Sequence, residues 1–146
     1  MIVDDVFHLF MAEDDLDDQQ IFREAIASIE GNLKITMFSN GMDLLETLRT
    51  NPNTPDVIFL DLFMPKLNGE QTLEMIRSMN HLDETPIVIF SNEYNINRIS
   101  ELFENGANRY LHKPNSFNTL VNALKRTIVS IKNNTLGGTA IIKYVE

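Results

Sequence analysis

The chain has 146 residues, 43% hydrophobic and 23% charged, which suits one globular domain around a single core. Twelve basic against 21 acidic side chains leave a net charge of −9, which repels nucleic acid phosphates, and no Lys/Arg-rich stripe offsets it. The lack of cysteine excludes disulfides, zinc–thiolate sites and thiol nucleophiles, and no apolar run nears the roughly 20 residues of a membrane span.

In chain order the apolar clusters alternate in kind. "VFHLFM" (6–11) reads as a strand, and Ile21, Phe22, Ala25, Ile26 and Ile29 then recur at helical spacing. "KITMF" (34–38) is a second strand, followed by Leu44, Leu45 and Leu48 on a helix face. "DVIFL" (56–60) and "PIVIF" (86–90) are the third and fourth strands, each followed by a weaker helical pattern: Leu73, Ile76 and Met79, then Ile96, Ile99 and Phe103. "NRYLH" (108–112) is the fifth, and Phe117, Leu120, Val121, Leu124 and Ile128 mark the last helix.

Strands 1, 3 and 4 are almost continuously apolar, as expected for a parallel sheet buried on both faces. Five β-α repeats predict an α/β fold, an open doubly wound sheet with helices on both faces. One domain is expected over residues 1–133. Residues 134–146 ("NTLGGTAIIKYVE" from Asn134) form a tail, readable as a sixth strand, a partner-binding strand or a loose terminus; the last is the expectation.

Ligands of open α/β sheets bind beyond the carboxyl ends of the strands. Glu13, Asp14 and Asp15 follow strand 1, Asp61 follows strand 3, Ser91 and Asn92 follow strand 4, and Lys113-Pro114 follow strand 5. Asp15, Asp17 and Asp18 start a helix, where capping is the favoured explanation. Capping accounts less well for Glu13 and Asp14, and not at all for the combination at four strand ends. Crowded carboxylates attract a hard divalent cation, and Mg²⁺ takes few of them while keeping waters for phosphate oxygens. A lysine and a hydroxyl suit the remaining phosphoryl oxygens, and an aspartate can itself carry a phosphoryl group. The residues therefore describe a magnesium-assisted phosphoryl acceptor.

Competing motifs fail. "EDDLDDQQIFRE" is no calcium loop, because Leu16 occupies a ligand position and the required glycine is missing. No Gly-rich phosphate loop is present, and His8, His81 and His112 lack paired metal-ligand spacing. A phosphatase of the haloacid dehalogenase type needs a second aspartate two residues after the nucleophile, where this chain has Phe63.

"FMAEDDLDD", "FLDLFMPKLNG", "IVIFSN" and "NRYLHKP" resemble, in order and spacing, the marker segments of response regulator receiver domains. The resemblance covers roughly residues 7–130 and implies a flavodoxin-like (CheY-like) five-stranded sheet of order 2-1-3-4-5. By that resemblance Asp61 is the phosphoacceptor. Asp14, Glu13 (through water), Asp61 and the backbone carbonyl of Phe63 hold Mg²⁺, Ser91 binds a phosphoryl oxygen, and Lys113 pairs with the phosphoryl group or with Asp61. Tyr110 is the aromatic switch that moves into vacated space, and Lys113-Pro114 is a bond often cis in the family.

Departures from the commoner pattern are Glu13 for Asp, Ser91 for Thr, Asn92 for a small residue, and Asn115 after the Lys-Pro pair. The implied role is that of a cytoplasmic single-domain response regulator, not an enzyme in its own right, without an output domain. It receives its phosphoryl group from a sensor histidine kinase or histidine phosphotransfer protein. It signals to a downstream protein target or passes the group on, with no nucleic acid or membrane partner. A receiver-like module that is never phosphorylated and a small phosphate-ester hydrolase are the rival readings.

Overall fold

The computed structural model describes residues 5–133 and 140–142. β1 (Phe7–Ala12), β2 (Leu33–Phe38), β3 (Val57–Leu60), β4 (Ile87–Ser91) and β5 (Arg109–His112) alternate with α1 (Leu16–Ala27), α2 (Gly41–Thr50), α3 (Gly69–Arg77), α4 (Ile96–Glu104) and α5 (Phe117–Asn133). The strands pair in parallel in the order expected, 2-1-3-4-5.

A sixth strand, β6 (Ala140–Ile142), follows α5 and pairs in parallel with β5, Tyr110 opposite Ile141. The expected loose terminus is corrected for these three residues. Without β6, β5 would end the sheet with a row of unpaired N–H and C=O groups, and the β-prone sequence Ala140-Ile141-Ile142 supplies a partner for them.

The pleat sorts the strand residues into two layers. Leu9, Met11, Val57, Phe59, Val88, Phe90 and Leu111 meet Phe22 and Ile26 of α1 and Leu120 and Leu124 of α5. Their neighbours Phe10, Ala12, Ile58, Leu60, Ile87, Ile89 and Tyr110 meet α2, α3 and α4 through Leu44, Leu48, Leu73, Ile76, Ile99 and Leu102. β3 and β4 are buried throughout, because helices cover both faces. Ser91 is the last residue of β4, one position beyond the expected end, while Pro86 and Asp56 lie before their strands. Asp56 instead accepts the amide hydrogen of His8 at 2.7 Å.

The turn after β3 is tight. Lys66 has φ = 66°, and the Leu67 amide donates to the Pro65 carbonyl at 2.7 Å around it. A side chain in the left-handed region costs about 1 kcal/mol or more. The turn delivers Asn68 to cap α3: its side chain accepts from the Gln71 amide at 2.8 Å, and Gln71 accepts from the Asn68 amide at 3.1 Å. Gly69 then packs on the backbone of Asp61, where an added Cβ would lie 2.2 Å from the Asp61 carbonyl oxygen and 2.8 Å from Leu62 Cα. Backbone atoms cannot move aside as a flexible side chain can. Gly69→Ala is therefore expected to lower stability by about 1–3 kcal/mol in urea unfolding, the range for overpacked sites. An unchanged midpoint would mean that α3 can retreat from β3.

Candidate functional site

The site lies at the carboxyl ends of β1, β3, β4 and β5. Glu13 directly follows β1 and is 1% exposed; its amide donates to the Phe38 carbonyl at 2.9 Å, which holds it between β1 and β2. Asp61 directly follows β3 and is 6% exposed, its amide donating to the Ala12 carbonyl at 3.1 Å. These two bonds continue the strand pairing beyond the strands and set the two acids side by side. Asp14 is exposed at the rim. One carboxylate oxygen from each of Glu13, Asp14 and Asp61 lies within 4.8 Å of the others. The clustered oxygens suit a hard divalent cation that keeps part of its water shell.

Lys113 reaches this cluster from β5. Its Nζ lies 2.9 Å from Glu13 Oε1, 3.3 Å from Asp18 Oδ2 and 3.8 Å from Asp61 Oδ2, and 5.3 Å from the centre of the Phe90 ring. Burial works against its charge, but the Glu13 hydrogen bond and the charges of Asp61, Glu13 and Asp18 outweigh it and hold the Lys113 pKa above the ordinary lysine value. Asp18 was assigned to helix capping by sequence, and the cap is in fact Asp15, which accepts the Asp18 amide at 2.9 Å. Asp18 belongs instead to the lysine's ring of acids. Its position three residues after the cap, one turn along the helix, is the signal that could have singled it out.

Two like charges within 5 Å repel by roughly 3 kcal/mol at an effective dielectric of 20. Burial first, then the hydrogen bond with Asp61 and the Asp61 charge, push the Glu13 pKa from 4.5 up to about 7 against the opposing Lys113. Added positive charge among these oxygens would favour the ionised form again.

The remaining expected residues divide. Ser91 is fully buried at the end of β4, and its Oγ accepts the Glu93 amide at 3.1 Å. Tyr110 is fully buried and its hydroxyl donates to the Glu93 carbonyl. Burial raises the Tyr110 pKa, with the Ser91 hydroxyl bond opposing. Tyr110 fills the interior between β5 and α4. Phe63 extends into solvent with 61% of its surface exposed, and its amide makes only a long 3.5 Å contact with Asp61 Oδ1. No cis peptide bond occurs among the described residues, so Lys113-Pro114 is trans. No helix among them is long and apolar enough to cross a membrane.

Comparison with known proteins gives one result at three levels. The family model for the response regulator receiver domain matches residues 9–125. The two-component response regulator ORR5 of Oryza sativa subsp. japonica is 33% identical over 101 residues, covering 68% of this chain and 75% of its own. The phosphorylated cyanobacterial phytochrome response regulator RcpA superposes with a TM-score of 0.81 at 26% identity, covering 90% of this chain and 98% of its own. The Mn²⁺-bound form of response regulator Rcp1 superposes with a TM-score of 0.75 at 22% identity, over 91% and 99%, which establishes a shared fold.

The Glu13 proton sets a pH dependence. In the unfolded chain the group titrates near 4.5 and in the fold near 7, so between these values the folded state binds more protons. Its contribution is fully present below about pH 4.5 and is lost as pH rises through 7. With chelator present, wild type is expected to lose on the order of 2–3 kcal/mol between pH 5 and pH 8 relative to Glu13→Gln, read by urea unfolding of both. Parallel pH profiles for the two proteins would refute the crowded-carboxyl account.

Proposed function

As the chain belongs to the response regulator receiver domain family, the phosphoacceptors of two-component signalling, we propose that Asp61 takes a phosphoryl group from a sensor histidine kinase or histidine phosphotransfer protein with Mg²⁺ as cofactor. The observation that carries this reading is the buried Asp61 carboxylate beside Glu13 and Asp14 with the Lys113 ammonium 3.8 Å away.

In the transfer an Asp61 carboxylate oxygen attacks phosphorus. The new P–O bond forms as the P–N bond of the phosphohistidine breaks, and the imidazole nitrogen leaves with the electron pair. Asp14, Asp61 and the Phe63 carbonyl, with Glu13 through water, would hold Mg²⁺, which when bound would neutralise charge on the oxygens of the transferring group. Lys113, 3.8 Å from Asp61 Oδ2, offers a positive charge of the chain's own. Ser91, at the end of the neighbouring strand, supplies a hydroxyl donor for a phosphoryl oxygen.

The partners are proteins. A chain of net charge −9 repels nucleic acid, and residues 1–133 serve as the receiver unit. Signalling then proceeds in the cytoplasm by a phosphorylation-dependent contact or by onward transfer. Asp61 serves as an acceptor in this scheme, and the only reactions it takes part in are its own phosphorylation and dephosphorylation.

Acetyl phosphate or phosphoramidate with Mg²⁺ is expected to add one phosphoryl group, about 80 Da by intact mass, that Asp61→Asn or chelation abolishes. Normal labelling of Asp61→Asn would remove Asp61 from the role, and no labelling of wild type would favour a receiver fold that works unphosphorylated.

Phe63 stands over the rim two residues past the acceptor, and a bulky apolar group there hinders an in-line water. The phosphoryl half-life is expected to be several-fold shorter in Phe63→Asn than in wild type, measured by phosphate release after the donor is removed; a hydrogen-bonding side chain that orients water is worth about that much. Equal half-lives would mean that the exposed ring leaves the path open.

A further inference from the structure

Ser91 ends β4, and the residues from Asn92 to Asn95, the N-cap of α4, determine where its hydroxyl is held. Side chains of β5 hold this loop at successive positions. The Asn92 carbonyl lies 2.9 Å from His112 Nε2, and because a carbonyl only accepts, Nε2 carries the hydrogen. The next carbonyl, that of Glu93, accepts from the Tyr110 hydroxyl. The Tyr94 ring meets the His112 ring edge-on at 5.6 Å. The Glu93 amide in turn donates to Ser91 Oγ at 3.1 Å, so the pinned peptide is the one bonded to the hydroxyl.

Tyr110 and His112 stand two residues apart on β5 and therefore face the same side of the sheet. One pinned carbonyl leaves the loop free to pivot about that bond. Two consecutive pinned carbonyls fix both peptide planes, and with them the direction in which Ser91 points. Tyr110 alone supplies one anchor, and His112 supplies the second.

We propose that His112 is a positioning residue for phosphoryl acceptance: its Nε2–H, donated to the Asn92 carbonyl, acts with Tyr110 to lock the loop between β4 and α4 and so to fix the Ser91 hydroxyl beside the Asp61 acceptor, on whose assignment this inference rests. The position immediately before Lys113 carries no chemistry on the transferring group. Its effect passes through the loop. A hydroxyl that is already oriented stabilises the charge of the transferring group without reorganisation, and one on a pivoting loop does so only part of the time.

The experiment compares wild type, His112→Val and His112→Gln. Valine keeps the strand preference and removes the donor, and the glutamine amide offers an N–H at the reach of Nε2. Labelling by phosphoramidate with saturating Mg²⁺ is expected to be roughly three- to tenfold slower in His112→Val, the scale of one lost hydrogen bond, and to recover in His112→Gln. Amide resonances of Ser91 to Asn95 in the unphosphorylated protein are expected to shift and broaden in the valine variant and to return in the glutamine variant. A valine variant that labels at the wild-type rate, or a glutamine variant as slow as valine, overturns the proposal. Should wild type itself fail to label, the Asp61 assignment falls separately. The loop resonances then decide the pin, and unchanged resonances in His112→Val overturn it.

Discussion

Everything at the functional end of this molecule depends on one ammonium group. Lys113 faces Glu13, Asp18 and Asp61 at 2.9, 3.3 and 3.8 Å, and without it three acids would be crowded with nothing to oppose their charge. Ions taken out of water this far are costly unless paired and hydrogen-bonded. Lys113 is itself only 12% exposed at its side chain, so its interactions with the acids are weakly screened. One positive charge against several negative ones leaves a deficit, and burial together with Asp61 pushes Glu13 toward its protonated form. A cation held by the same oxygens would offset the same deficit. The unbalanced site is thus both the least comfortable part of the fold and the part able to accept new charge.

The opposite end of the sheet is organised for rigidity. The Arg77 guanidinium, at the end of α3, donates to the carbonyls of Gly106, Leu82 and Thr85 at 2.9, 2.7 and 2.8 Å and to Asn108 Oδ1 at 2.9 Å. Asn108 Oδ1 also accepts the Ile87 amide at 2.9 Å. Arg77 thereby ties the starts of β4 and β5 to α3 with a planar, charged donor whose geometry suits several carbonyls at once. Gly106, with φ = 114°, lets the backbone pass close beneath its aliphatic stem. The clamp holds the amino ends of β4 and β5, away from Ser91 and Lys113 at their carboxyl ends. A charge change at Asp61 is therefore read at the carboxyl ends, where the loops carry the site.

The element best placed to read it is the loop between β4 and α4. Arg98, in the first turns of α4, pairs with Glu70 at the start of α3 at 3.2 Å, so α4 is tied to the turn that carries Asp61 as well as to β5. Tyr110 is already seated in the interior, and its hydroxyl already has the Glu93 carbonyl as partner. Any coupling between Asp61 and the outer face of α4 and β5 therefore runs through this packed loop. The effect of phosphorylation on such a loop is a shift of population, bounded by the difference in interaction free energy between its states.

The alternation of short β-branched runs with helical spacing is a local property, so five strands, five helices and the buried character of β3 and β4 were legible from residue order alone. Asp61 at the end of "VIFL" was legible for the same reason: a carboxylate closing an apolar run has few local explanations. The resemblance of "FMAEDDLDD", "IVIFSN" and "NRYLHKP" to receiver segments pointed to separate roles for Asp14, Ser91 and Lys113, where local chemistry named only a shared site. Other features depended on tertiary structure. Asp18 looks like a capping acid in sequence, and only the approach of Lys113, 95 residues away, makes it part of the site. His112 looks like a lone strand histidine until β4 lies beside β5 and brings the Asn92 carbonyl within hydrogen-bonding distance. The strand at Ala140–Ile142 depends on the open edge of β5, a vacancy that no local pattern records. Sequence determined which segments are strands and which residues end them, because burial and backbone preference act within a few residues. Tertiary structure decided which charges and carbonyls meet, because pairing energies fall off with distance in space and take no account of distance along the chain.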